Sequence, residues 1–200
     1  MTDWEERYRM GDTPWDRGGP HPGLVAELSR VPMSGRVLVP GCGFGYDAEV
    51  IAALPEVTEI VALDIADSAV ATARERLAGW GKRVRVERED LFALSQEYRE
   101  AYDWVWEHTC YCAIDPSARD GYVEAMAEVL KPGGQLFAIF FLTPWDNDEE
   151  NRTAGPPFGT TREDLNCRFA KRFATVRTWR PLATYDGREG REIIRLLRKA

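Results

Sequence analysis

Gly41, Gly43 and Gly45 occupy alternate positions directly after the apolar run Val37-Leu-Val-Pro40, and Asp64 closes a second apolar run about twenty residues later. A glycine-rich turn between a strand and a helix lets the backbone come close to a ligand, and the free N–H groups at the helix start favour polar or anionic atoms. A carboxylate at the end of the next strand is placed to accept hydrogen bonds from ribose hydroxyls. Asp90 and Leu91 follow a third run, where the carboxylate can bond an exocyclic amine and the leucine can cover a purine. Glu107 and His108 follow a fourth and supply groups able to move a proton. Trp4, Tyr8 and Trp15, ahead of the first strand, offer electron-rich faces to a cation. Tying the N-terminus onto the domain is an equally good role for them. Cys110 and Cys112 could be nucleophiles, but free cysteine is more often buried packing.

The glycine spacing excludes two familiar loops. A phosphate-binding P-loop needs Gly-Lys-Ser/Thr at its far end, which is absent here. A dinucleotide fingerprint needs its third glycine at position 46, where Tyr46 stands. What remains is the Gly-x-Gly-x-Gly loop of methyltransferases, whose ligand, S-adenosylmethionine, carries no phosphate, or else a plain turn joining strand to helix.

These groups need elements to hold them. Thr2 with Glu5 forms a capping box for a helix over Asp3–Met10, which Gly11 ends. Leu24–Arg30 is a helix leading in. Strands at Arg36–Pro40, Glu59–Asp64, Val84–Arg88, Tyr102–Trp106 and Gln135–Phe141 alternate with helices at Tyr46–Leu54, Ser68–Ala78 (Ser68 as cap) and Pro116–Leu130. Leu142–Gly159 is a long loop, Thr160 with Glu163 caps another helix, and Phe173–Trp179 and Glu192–Arg198 form a closing pair of strands. The pattern predicts a doubly wound, mostly parallel seven-stranded α/β sheet with helices on both faces and an antiparallel last strand. Ligands of such sheets sit at the carboxyl ends of the strands, which gathers Gly41, Asp64, Asp90 and His108 on one rim.

Two hundred residues, 44% of them hydrophobic, suit one domain, 1–200, with 1–23 as an N-terminal lid. The formal charge of −7 leaves an acidic body, which argues against nucleic acid as a partner. The four cysteines show no zinc spacing, so no metal is expected, and reduced thiols suit the cytoplasm. No signal peptide or bilayer-spanning run is visible, and a monomer acting on a small molecule is the expectation.

Trp4-Glu-Glu-Arg-Tyr8, Gly11-Asp-Thr-Pro-Trp15-Asp16, Leu38-Val-Pro-Gly-Cys-Gly43, Tyr46-Asp47, Leu63-Asp64-Ile, Cys112-Ala-Ile-Asp-Pro116 with Arg119, and Leu130-Lys-Pro-Gly-Gly134 together resemble the thiopurine S-methyltransferase-like family. That family includes plant thiol and halide methyltransferases and bacterial relatives. The resemblance implies S-adenosylmethionine as cofactor and a thiol, thiopurine or halide as acceptor. Trp4, Tyr8 and Trp15 would contact the cofactor from the lid, Gly41 its methionine portion, Asp64 the ribose, Asp90 and Leu91 the adenine, and His108 the sulfonium side. The chain departs from the pattern at Tyr8, where relatives often carry tryptophan, and at Glu107-His108, where Asp followed by Tyr or Arg is more usual.

Methyl transfer from a sulfonium is an in-line displacement that rests largely on alignment and dryness, so no residue need be chemically indispensable. His108 or Glu107 could still take a proton from a thiol or hydroxyl. Rival readings are O- or N-methylation of another small molecule, an amino-methyltransferase acting on nucleic acid or protein, a non-catalytic S-adenosylmethionine-binding regulator, and an NAD-dependent dehydrogenase. The second would need an Asn/Asp-Pro-Pro-aromatic motif where Glu-His-Thr-Cys stands.

Overall fold

The computed structural model describes residues 2–200. Its elements run α1 (Trp4–Arg9), α2 (Pro22–Glu27), β1 (Gly35–Pro40), α3 (Tyr46–Ala52), β2 (Val57–Asp64), α4 (Asp67–Leu77), β3 (Val84–Arg88), β4 (Tyr102–His108), α5 (Arg119–Val129), β5 (Leu130–Phe141), α6 (Asp148–Thr153), α7 (Arg162–Phe169), β6 (Phe173–Trp179) and β7 (Glu192–Lys199). The seven strands form one sheet in the order β3-β2-β1-β4-β5-β7-β6. Neighbours pair parallel except β7, which runs antiparallel to both β5 and β6. The chain reverses its winding between β1 and β4, and the crevice at such a switch point is where ligands of open sheets bind.

Two apolar layers cover the sheet, as continuous runs such as Ile60–Leu63, wholly buried, require. Ile51, Ala73, Trp106 and Phe137 pack on one face, while Tyr111, Tyr122, Phe140, Leu165 and Phe169 pack on the other. Strand alternation thereby sends consecutive residues of β4 to opposite sides. Trp106 points into the layer under α3, and Glu107 into the layer holding Tyr122 of α5.

Several helix starts differ from expectation, each because a side chain found another partner. Asp3, not Thr2, caps α1 by accepting from the Glu6 N–H, which frees Glu5 for a distant contact. Ser68 does not cap α4, whose N-cap is Ala66; the serine lies inside the first turn and donates to Glu5 instead. Thr161 rather than Thr160 caps α7, accepting from the Asp164 N–H. The helix expected from Pro116 opens with a 3-10 turn at Pro116–Ala118 before α5. The long Leu142–Gly159 segment contains α6, capped by Asn147.

Candidate active site

The glycine turn sits at the carboxyl end of β1, which pairs in parallel with β4 through Val37 opposite Trp104 and Leu38 opposite Val105, so the turn and His108 follow neighbouring strands on the same rim. Gly41 and Gly43 hold φ of 58° and 53°, a conformation that a Cβ makes costly. A Cβ on Gly41 would lie 2.9 Å from Cys110 Sγ, and one on Gly43 would lie 3.4 Å from the Tyr8 hydroxyl. The turn is therefore a backbone cradle with an aromatic lid close above it. Asp64, at the end of β2, accepts from the Gly43 N–H at 2.9 Å and the Ala66 N–H at 3.0 Å. Burial raises its carboxyl above the ordinary value, against those two hydrogen bonds. Each carboxylate oxygen keeps a second lone pair, so the group can anchor the loop and still accept from a ligand.

The lid is an aromatic cluster. The Trp15 ring meets Trp4 and Tyr8 edge-on, each with centroids 5.4 Å apart, and Tyr8 packs on Phe44 of the glycine turn at 5.3 Å. Trp15 Nε1 donates to the Tyr8 hydroxyl at 3.2 Å. Burial, and then the nearby Asp64 charge, pushes that phenol well above its usual range, so it stays neutral. Glu5 fastens the lid helix to α4 by accepting from both N–H and Oγ of Ser68, at 2.9 and 2.6 Å. Asp90 and Leu91 stand just past β3, on a segment joined to Asp64 by the Glu89 N–H donating to its carbonyl. Asp90 is exposed and steadies its own turn by accepting from the Phe92 N–H.

The other wall of the rim belongs to His108. Asp47, in the first turn of α3, accepts from His108 Nδ1 at 2.9 Å, from Trp106 Nε1 at 2.9 Å and from the His21 N–H at 2.8 Å. Burial works to raise Asp47, but His108, the His21 N–H and Trp106 hold it below the usual carboxylate range. The His21 ring meets His108 edge-on at 4.5 Å and donates through Nε2 to Glu192. Glu192 also accepts from Thr184 and Arg188, and these partners overcome burial to hold its carboxyl at about 2. Tyr185 closes this wall, donating to the Gly19 carbonyl of the lid segment at 2.8 Å.

Trp4, Tyr8, Trp15, Gly41 and Asp64 thus gather around the glycine turn, with Asp90 and Leu91 at its margin and His108 across it. Asp47, His21, Tyr185 and Glu192 complete the rim; none of them was given a site role from the sequence, although Asp47 belongs to the Tyr46-Asp47 motif. Asp47 follows Tyr46 at the start of a predicted helix, where an acid ordinarily serves the helix dipole. Glu107 stands apart: it accepts from the Tyr111 N–H and the Tyr122 hydroxyl on the opposite face, so it cannot serve this rim. Cys110 and Cys112 are packing groups, since burial pushes both thiols up, Cys112 to about 12. Arg119 clamps Gly155-Pro-Pro-Phe158 beside Cys112, donating to the carbonyls of Phe158 and Gly159 while Phe158 N–H donates to Cys112.

A glycine cradle and a carboxylate on adjacent strands of a sheet with this order define a Rossmann-like methyltransferase domain. In sequence, the profile of the thiopurine S-methyltransferase family matches residues 1–180, and the chain belongs to that family. A probable thiol methyltransferase 2 of Arabidopsis thaliana is 36% identical over 159 residues, 78% of this chain and 66% of that protein. This chain spans about two thirds of the length of the plant relatives it matches. A thiopurine S-methyltransferase of Legionella pneumophila is 27% identical, covering 81% of this chain and 77% of its own. Among solved structures, the N-methyltransferase NodS of Bradyrhizobium japonicum WM9 in complex with S-adenosyl-L-homocysteine shares the fold, with TM-score 0.73 at 19% identity over 97% of this chain and 95% of that one.

Proposed function

We propose that the protein transfers the methyl group of S-adenosylmethionine to a small-molecule nucleophile: a thiol, thiopurine or halide. The observation that carries this reading is the placement of Gly41, Gly43 and Asp64 on one rim beneath the aromatic lid, in a chain of this family. Relatives named for thiol, thiocyanate and thiopurine methylation support the acceptor class. When bound, S-adenosylmethionine supplies an electrophilic methyl group on a positively charged sulfur. Gly41 would meet its methionine portion, Asp64 the ribose, Asp90 and Leu91 the adenine, and His108 the sulfonium side. Trp4, Tyr8 and Trp15 would close over it, with ring faces toward the cation and water shut out. Their work is alignment and drying, so their loss should weaken binding as well as turnover.

In this reading residues 1–23 are the lid of one domain spanning 1–200. The chain acts as a monomer in the cytoplasm on a small molecule, with no nucleic acid as partner. Four free cysteines support a reducing compartment. No helix among the described residues is long and apolar enough to cross a membrane.

The test is calorimetry with S-adenosylmethionine and S-adenosylhomocysteine, followed by transfer of isotope-labelled methyl to a panel of thiols, thiopurines, halides and phenols. Binding of both compounds and labelling of a sulfur or halide acceptor is the expected result. Failure of either compound to bind would overturn the reading.

A further inference from the structure

The buried Nε2 of His108 has no hydrogen-bond partner among the described residues, and its surroundings fix its tautomer. Asp47 is a carboxylate and can only accept, so His108 Nδ1 carries the proton and Nε2 presents a bare lone pair. Trp106 Nε1 and the His21 N–H hold Asp47 in place from the other side, so the ring cannot turn without breaking that network.

The neighbouring imidazole is committed elsewhere. His21 Nδ1 accepts from the Gly23 N–H at 2.9 Å, so its Nε2 carries a proton and donates it to Glu192. This arrangement also argues against a metal. His21, His108 and Glu192 offer ligand atoms within 4.8 Å of one another, but a metal on His21 Nε2 would require an imidazolate while Gly23 holds Nδ1. Glu192 is already claimed by Arg188 and Thr184 as well.

Asp47 from α3 bonds the His108 ring, Glu107 precedes it on β4, and Glu192, paired with Arg188 from the turn before β7, lies near it; His21 and Tyr185 pack on the ring. Tyr185 and its turn lie over the ring and are tied to the lid by Tyr185 Oη on Gly19 and by Arg17 on the Asp186 carbonyl. The N-terminal segment therefore also holds the cover over His108.

We propose that His108, oriented by Asp47, is the catalytic base that takes the proton of the acceptor, which makes this site selective for a protic thiol over an aprotic anion such as iodide or thiocyanate. The proposal rests on the methyl-transfer reading above. The thiol S–H bond breaks and its proton passes to Nε2. The sulfur's freed electron pair forms the new carbon–sulfur bond, the bond from methyl to sulfonium breaks, and that pair stays on the departing thioether. The imidazolium then gives its proton to solvent.

The test compares wild type, His108→Asn and Asp47→Asn on thiols ranging from thiophenols ionised at neutral pH to alkyl thiols that are not, with iodide alongside. Asparagine at 108 can still donate to Asp47 but offers no basic nitrogen. For alkyl thiols kcat/KM should fall about a hundredfold in His108→Asn, with the loss shrinking to a few-fold for ionised thiophenols and for iodide. Asp47→Asn should show the same dependence on thiol acidity, with a smaller loss. Calorimetry with S-adenosylmethionine and S-adenosylhomocysteine separates any loss of cofactor affinity in each variant from the dependence on thiol acidity. An equal loss across the series, or none, would overturn the proposal while leaving methyl transfer intact. A wild type that binds S-adenosylmethionine yet methylates no thiol would overturn the acceptor class, and the proposal with it.

Discussion

At the scale of single residues the glycine turn is constrained by backbone conformation and by what a side chain would strike. Alanine at either Gly41 or Gly43 must adopt positive φ, which costs about 1–2 kcal/mol. At Gly41 the new methyl also meets Cys110 at 2.9 Å, whereas at Gly43 the nearest atom is the Tyr8 hydroxyl at 3.4 Å, close to ordinary van der Waals contact. Gly41→Ala should therefore destabilise by about 2–3 kcal/mol and Gly43→Ala by about 1 kcal/mol in urea titrations. Adding Cys110→Ala to Gly41→Ala removes the Sγ contact but leaves Cys110 Cβ 3.0 Å away, so it should recover only part of the loss, about 0.5 kcal/mol, a coupling absent between Cys110→Ala and Gly43→Ala. Equal costs at the two glycines would contradict the packing described. These glycines were legible in the sequence because backbone freedom at that spacing has few other uses. Asp64, which in the fold accepts from the Gly43 and Ala66 N–H groups, was readable as a candidate only together with that loop, since an acid at a strand end is often just a helix cap. Asp47 and His21 were not, since each looks locally like a helix-start residue. Their roles come from Trp106 and His108, about sixty and ninety residues further along the chain.

At the scale of elements, the succession of strands along the chain was readable from apolar runs closed by Gly, Asp or Pro, whereas their order across the sheet comes from the structure and several caps were misplaced. The sequence Thr2-Asp-Trp-Glu5 satisfies a local capping rule, yet Glu5 is used on a helix 63 positions away. That contact gives α1 its seat on α4 and, in the proposed reading, latches the lid. Ser68 lowers the Glu5 carboxyl below its usual value through its hydroxyl and its N–H, so the latch holds at neutral pH and loosens under acid. Glu5→Ala should raise the KM for S-adenosylmethionine roughly two- to fivefold and leave kcat within about twofold, since a half-buried hydrogen-bonded carboxylate near the surface contributes modestly. Steady-state kinetics at low and high salt check it. An unchanged KM would mean that the lid is held by the Trp4, Tyr8 and Trp15 rings alone.

At the scale of the whole molecule, two buried carboxylates pull stability in opposite directions with pH. Glu192 is held at about 2 in the fold, below its ordinary 4.5, so its contribution is complete above 4.5 and is lost as pH falls toward 2. His21, lowered chiefly by burial, acts in the same sense: the unfolded chain binds its proton more readily, so stability drops as pH falls below about 6.5. Glu107 is opposite. Burial raises it from 4.5 to about 7, so the folded protein keeps a proton that the unfolded chain gives up, and stability declines as pH rises from about 4.5 to about 7. A shift of that size corresponds to about 3 kcal/mol at pH 8, for a wholly buried group. Glu107→Gln keeps an acceptor for the Tyr111 N–H and gives Tyr122 a neutral partner, while abolishing the titration. The variant should lose the decline between pH 4.5 and 7 and exceed wild type by about 1–3 kcal/mol at pH 8, with little difference at pH 4.5. Urea midpoints at pH 4.5, 6 and 8 decide it, and parallel profiles for the two proteins would show that Glu107 is ionised in the fold throughout. Because Glu107 and His108 are neighbours on one strand facing opposite layers, the same variant separates their roles. Its methyl-transfer rate should follow wild type at pH 8 even as its stability departs from it.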